Sequence, residues 1–436
     1  MSSVTSSETS SETDTAAKAT APTGCPVMHG FQPIDPLTPI DDLATGWARA
    51  RTEAPVFFVP EHNTWCVSSY ALIEEVLRSP ETFSSAAMGG VPVAVPERFR
   101  DDLPDGRWPV ELSLTSMDPP EHTRIRKLVQ PAFTARMANA AEGDVGRIAN
   151  EVIDAFIDNG KADIATEYSH KIPIKVIAPM LGVPPADVDM LYGWAMQALF
   201  LANNESIPAD LVDSVAEGQC EYVRYARKLI EDRRANPRGE NDLLTHLIFA
   251  TADDEPVLSQ TEVLGMVLGI LIAGMETTAT AMGNAIHLLL SQGLWQKVVD
   301  DPDLAARAAE EGLRLRPPLT GIHRVTTRDC ELGGVLIPAG SLVHLSVLSA
   351  NRDEAEFTDS EKYISDRANA RTHMTFGKFT HNCLGAPFAR VELRVGIHTL
   401  AQRIPSLRLS EDCDLQYMPS TFVRALLGGL RAEWDT

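Results

Sequence analysis

Phe376-Gly377-Lys378-Phe379-Thr380-His381-Asn382-Cys383-Leu384-Gly385 runs without a break into Ala386-Pro387-Phe388-Ala389-Arg390-Val391-Glu392. Glycines on both sides of the cysteine let the backbone pass close to a bulky group. Apolar residues after Gly385 recur at helical spacing, so Cys383 lies just before a helix start. There, free N–H groups and the positive end of the helix dipole face its sulfur, which favours a thiolate and lowers its basicity. Taken alone, the stretch fits a buried thiol at a loop–helix junction equally well.

Around this stretch lies a chain of 436 residues, 44% hydrophobic and 22% charged, an ordinary globular composition long enough to enclose a sizeable cofactor. Its net charge of −22, from 38 Lys plus Arg against 60 Asp plus Glu, opposes nucleic acid and anionic membrane surfaces. The cysteines (Cys25, Cys66, Cys220, Cys330, Cys383 and Cys413) form no CxxC pair and no zinc-type Cys/His spacing. They suit a reducing, cytoplasmic setting. Residues 1–30 are a polar tail of Ser, Thr, Glu and Ala that lacks the apolar core of a signal peptide or anchor, and disorder is expected there. Cys25-Pro26 reads as a tail thiol beside a stiffening proline. Residues 31–436 read as one domain, with no linker or repeat.

Val56-Phe57-Phe58-Val59 and Trp65-Cys66-Val67, joined through Glu61-His62-Asn63, predict a β-hairpin. Tyr70 to Leu77 has helical spacing, and Phe83 to Leu114 reads as a long loop. Helical patterns dominate from about Pro120 to Gly312. Short strands follow at Gly334 to Pro338 and Leu342 to Leu345, then a last helix from about Gly385 to Arg403. The expected class is mainly α with a small β portion (α+β).

Three further stretches carry chemistry. In Met117-Asp118-Pro119-Pro120-Glu121-His122-Thr123-Arg124-Ile125-Arg126, His122 and Arg126 share a helix face, and an arginine fork suits a carboxylate. A solvated basic face is the bland alternative. Ala273-Gly274-Met275-Glu276-Thr277-Thr278 interrupts the longest apolar helix, about Ser259 to Leu290. Gly274 costs roughly 1 kcal/mol there relative to alanine, and a buried acid needs partners. Threonines bonded back to the preceding turn would explain the stretch structurally. Glu311-Gly312-Leu313-Arg314 places acid and base one turn apart. The same spacing in Glu231-Asp232-Arg233-Arg234 reads as a solvated charged turn.

In this order the stretches resemble those of the cytochrome P-450 family. The cysteine loop is similar to Phe-Gly-x-Gly-x-His-x-Cys-x-Gly at Phe376, Gly377, His381, Cys383 and Gly385; Phe379 stands where the family has glycine. Glu311 and Arg314 are followed by Arg316-Pro317-Pro318, His323-Arg324 and Gly333 to Gly340 in the family's sequence order. The resemblance implies a triangular helical prism around haem b (iron protoporphyrin IX), with Cys383 as the axial iron ligand. It assigns His122, Arg126, Arg324 and His381 to the haem propionates, and a structural role to Glu311 and Arg314. Gly274 would leave room at the bound oxygen, Thr277 would organise protons there, and Glu276 would relay them.

The activity implied is a monooxygenase that inserts one atom of O2 into a small or medium hydrophobic or aromatic substrate, by hydroxylation or O-/N-dealkylation. Without a dinucleotide fingerprint in the chain, electrons are expected from a ferredoxin, or a flavodoxin, and its NAD(P)H reductase. Arg124, Arg126, Lys127, Lys378, Arg390 and Arg394 fall around the proximal face, where an acidic ferredoxin would dock. Pocket walls are expected at Met88 to Val95, Phe200, Leu268 to Thr277, Leu319 to Ile322 and Phe422, with Arg98 able to reach inward. A peroxide-driven peroxygenase is the alternative, although it would not need Glu276-Thr277. A non-catalytic haem sensor, suggested only by Cys25-Pro26, is the other.

Overall fold

In the computed structural model, residues 25–28, 40–89, 93–203, 208–239, 242–252, 255–256, 258–420 and 422–436 are described. The tail expected to be disordered falls almost wholly outside them. Five strands carry the main sheet: Val56–Val59 (β1), Thr64–Val67 (β2), Phe83–Ser84 (β3), Gly321–Thr326 (β4) and Leu342–Ser346 (β5). Their order is β1-β2-β5-β4-β3, with β2 and β5 parallel and the other neighbours antiparallel. The hairpin forms as expected, with Phe57 opposite Cys66. It turns through Pro60–His62, and Asn63 adopts φ 48°, a left-handed conformation that asparagine tolerates. Both hairpin strands are buried throughout, so apart from Thr64 their residues are apolar in succession and do not alternate.

The helices that shape the site are Tyr70–Arg78 (α1), Glu121–Val129 (α2), Lys171–Met180 (α3), Val188–Asn203 (α4), Ala209–Ala235 (α5), Gln260–Ser291 (α6), Pro302–Leu315 (α7) and Ala386–Arg403 (α8). Helix α6 is long and apolar enough to cross a membrane by length and composition alone. Here it packs against α3, α4, α5, α7 and α8, so its all-round apolarity is that of a core helix. Its start is a capping box. Ser259 Oγ accepts the Glu262 N–H at 3.2 Å, and the Glu262 carboxylate accepts the Ser259 N–H at 2.7 Å. Gly265 is needed for close approach, since a Cβ there would meet the Leu112 carbonyl at 2.7 Å.

The stretch expected to be a long loop is a chain of short turns after β3: Ser85–Gly89, Glu97–Phe99, Pro104–Gly106 and Pro109–Leu112. Proline fixes φ at several of these turns. Trp108, 1% exposed, ties the stretch together by donating Nε1–H to the Val93 carbonyl at 2.6 Å.

Arg314 and Glu311 on α7 are fully buried and pair through two parallel bonds of 2.8 and 2.7 Å. Arg314 also donates to the carbonyls of Asn351, Ser360 and Lys362. Arg367 donates to Glu311 at 3.0 Å and to the carbonyls of Thr358 and Asp359. The earlier copy of the spacing is the solvated turn expected, with Glu231, Asp232 and Arg234 exposed, while the intervening Arg233 turns inward. Arg233 is 5% exposed and ion-paired with Asp242, because the last turn of α5 packs over Gly182.

Candidate active site

Local hydrogen bonds fold the cysteine loop tightly. Cys383 N–H donates to the Phe376 carbonyl at 2.7 Å, Gly377 N–H to Met374 at 2.8 Å, and Asn382 N–H to Phe379 at 3.1 Å. Gly377 has φ 62°, and a Cβ there would meet the His381 carbonyl at 3.2 Å. Phe379 also takes a left-handed φ, 53°, where the resemblance leads one to expect glycine. Its ring turns outward, 39% exposed, with the Arg78 guanidinium 4.0 Å from the ring centroid. Lys378 Nζ donates to Tyr70 Oη at 2.6 Å, so α1 holds the loop from below.

Cys383 is exposed in the metal-free protein, where it opens onto a cavity of about 290 Å3. Desolvation by the surrounding protein pushes its thiol up, partly opposed by the N–H groups of Gly385 and Ala386 and by Arg126 and Arg390. The N–H groups at the helix start act in the expected direction on the sulfur, and desolvation works against them in the metal-free protein. A metal cation on the sulfur reverses that balance.

His122, Arg126, Arg324 and His381 line the same cavity. The rings of His122 and His381 lie 4.1 Å apart, and His381 Nε2 is 2.9 Å from Ser85 Oγ. Arg126 donates to the Asn382 carbonyl at 2.6 Å, and Arg324, on β4, to the His323 carbonyl at 2.7 Å. Burial, with neighbouring Arg126, holds His122 down at about 4. Burial and His122 hold His381 at about 3, and burial lowers Arg324 to about 10. Among the described residues neither arginine forms an ion pair, and His122 Nδ1 is buried without a hydrogen-bond partner. A cluster of basic groups with an orphaned ring nitrogen fits the two propionates of haem b.

Across the cavity, α6 presents Ala273, Gly274, Thr277 and Thr278, flanked by Ile177, Leu319 and Ile322. Thr277 Oγ1–H donates back to the Ala273 carbonyl at 2.6 Å, which leaves its oxygen able to accept a proton donor. A Cβ on Gly274 would meet Ile177 at an ordinary 3.7 Å, so the protein alone does not require glycine there.

Glu276 is not among the cavity-lining residues. It sits one residue round the helix, 2% exposed, accepting Tyr192 Oη–H at 2.8 Å and Thr280 Oγ1–H at 2.9 Å. His170 Nε2 lies 3.8 Å away and bonds the Leu426 carbonyl. Burial pushes the Glu276 carboxyl up, with His170, Tyr192 and Thr280 pulling it back. Sequence reasoning missed Tyr192 and His170; the need for partners was legible, but not their identity.

Other expectations change as well. Arg98 pairs with Asp213 on α5 instead of reaching inward. Phe200 and Phe422 do not line the cavity; Phe422 packs beside Leu199 and Val423. Cys25 donates to the Leu336 carbonyl at 3.6 Å and is not part of the cavity lining. Most of the expected basic patch is neutralised internally: Arg124 pairs with Glu262, Lys378 with Glu74, Arg390 with Glu310 and Arg394 with Glu142.

A family model described as cytochrome P-450 matches residues 193–300 and 303–419. The chain belongs to the cytochrome P-450 family. It is similar to the mycinamicin IV hydroxylase/epoxidase of Micromonospora griseorubida, 36% identical over 88% of this chain and 92% of that one. The vitamin D(3) 25-hydroxylase of Pseudonocardia autotrophica is 34% identical over 87% and 91%. A Bacillus megaterium P-450 solved with testosterone matches at TM-score 0.79 and 29% identity, over 92% of this chain and all of that one. An intact type IV self-sufficient P-450 monooxygenase matches at TM-score 0.86 and 29% identity, over 96% of this chain. The chain spans about half of that enzyme, 55%. The protein therefore has the P-450 fold, and it is a monooxygenase using haem b and O2.

Proposed function

We propose that this P-450 hydroxylates or dealkylates a small or medium hydrophobic or aromatic molecule in the cytoplasm, with electrons from a separate ferredoxin, or flavodoxin, and its reductase. One observation carries the reading: a single cavity joins Cys383 and the basic cluster to an apolar wall on α6. Haem b bound through Cys383 supplies the oxygen-activating chemistry. His122, Arg126, Arg324 and His381 would hold its propionates, and the surrounding apolar side chains would exclude water. Gly274 would leave room for oxygen, and Thr277 would hold a proton donor through its free lone pair. Glu276 would relay protons from behind α6, a role that requires its carboxyl to leave Tyr192.

A spin-state screen of the haem-loaded protein tests the substrate class, with steroids, vitamin D(3) and small aromatic molecules in the panel because relatives are named for the first two. Binders are then turned over with NADH, a ferredoxin and its reductase. Turnover that proceeds only with peroxide selects the peroxygenase alternative. A protein that binds haem but oxidises nothing in either system sinks the reading.

A further inference from the structure

Among the described residues, Phe379 and Phe249 are the large aromatic side chains left exposed, and Phe379 belongs to the cysteine loop itself. Its left-handed φ of 53° is unfavourable for a bulky residue and free for glycine. At 39% exposure, burial returns little of that strain. What fixes the ring is Arg78, 4.0 Å from its centroid and braced by Glu74 at 3.2 Å. The pair is thus a rigid aromatic beside an exposed guanidinium, ordered before any partner arrives. Tyrosine, tryptophan and arginine dominate interface hot spots, and preorganisation removes the ordering penalty of binding. Phenylalanine offers the same flat apolar face.

Electrostatics on this face point the same way. Its cations are largely consumed by Glu262, Glu310 and Glu142, within a chain of net charge −22, whereas Glu74 is shared by Lys378 and Arg78 and leaves one positive charge beside the ring. Long-range attraction of an acidic protein is therefore weak, and a short-range contact must supply the affinity. We propose that Phe379 and Arg78 form the anchor on which an iron–sulfur ferredoxin docks. The ring meets an apolar patch over the partner's cluster, and Arg78 takes one of its carboxylates. This rests on the redox-partner reading above.

The test uses the haem-loaded, substrate-bound full chain and a reduced [2Fe–2S] ferredoxin. Affinity and first-electron transfer are measured by titration and stopped flow from about 0.05 to 0.5 M salt. Phe379→Gly is expected to weaken binding about tenfold at every salt concentration, while Phe379→Tyr restores it. Phe379→Asn, which keeps the left-handed backbone, should behave like the glycine variant. Lys127→Glu should matter only at low salt. Substrate affinity, peroxide-driven turnover and the reduced carbon-monoxide band near about 450 nm should be unchanged throughout. Parent-like ferredoxin affinity in Phe379→Gly overturns the anchor and leaves the monooxygenase reading standing. A carbon-monoxide band displaced in that variant shows that Phe379 shields the thiolate, which also overturns it. A parent chain that turns over with peroxide but accepts electrons from no ferredoxin overturns the redox-partner reading, and the anchor with it.

Discussion

Thr277 and Glu276 are neighbours in sequence yet point about 100° apart on the helix, and the difference separates their chemistry. The Thr277 hydroxyl is tied to the Ala273 carbonyl at 2.6 Å and faces the cavity, so its removal leaves the fold intact. Thr277→Ala should keep haem and substrate affinity but lose product formed per NADH severalfold, with peroxide released in its place; coupled assays of NADH, product and peroxide measure this. Unchanged coupling would remove Thr277 from proton delivery. The cavity residues His122, Arg126 and Cys383 were legible because each sits in a local pattern: His122 and Arg126 one turn apart, Cys383 between glycines. The direction of Glu276 was not legible. Its partners Tyr192 and His170 come from segments about a hundred residues upstream, and a one-dimensional pattern does not say which side of a buried helix meets them.

At the scale of elements, α7 is held to the segment after β5 by charge. Glu311 accepts bonds from Arg314, Arg367 and the Ile364 N–H, all shielded from solvent. Removing the acid leaves two guanidinium groups buried without their counterion, a loss of about 3–5 kcal/mol. Glu311→Gln should therefore lower Tm sharply and yield little haem-loaded protein; calorimetry and haem-to-protein ratio check it, and a Tm near the parent's would contradict the account. Helix boundaries were readable to within a residue or two: Gln260–Ser291 against about Ser259 to Leu290, and Ala386–Arg403 against about Gly385 to Arg403. Periodicity and the Ser259–Glu262 capping box announce such ends locally. The turns between Phe83 and Leu114 were not readable, because proline-rich turns have no period. Arg98 was misplaced for a related reason: its position on α5's Asp213 depends on how those turns lie over the helices.

Over the whole molecule, buried carboxyl groups shape stability against pH. Glu392 on α8 is buried, its Oε2 has no partner among the described residues, and burial raises it well above the ordinary carboxylate range. A raised folded value contributes stability that is fully present below the unfolded value, about 4.3, and lost as pH climbs through the folded one. Glu392→Gln should thus raise Tm over the parent at pH 8, with the gap closing toward pH 4; a gap that widens on acidification would refute this. Glu310 works in the opposite sense. Burial disfavours its charge, but hydrogen bonds and charge from His373 and Arg390 hold it at about 2. Its contribution is present above about pH 4.3 and fades as pH falls toward 2, so Glu310→Gln should lose its stability penalty only in acid, as thermal melts across pH would record. Arg314 and Arg367 grip the stretch from Asn351 to Arg367 largely by its carbonyl oxygens. Every amino acid carries that oxygen. Over generations, positions such as Thr358 and Lys362 are free to drift in side chain while the path of the chain is kept, whereas a single inserted or deleted residue would slide the carbonyls past two fixed guanidinium groups and undo the grip.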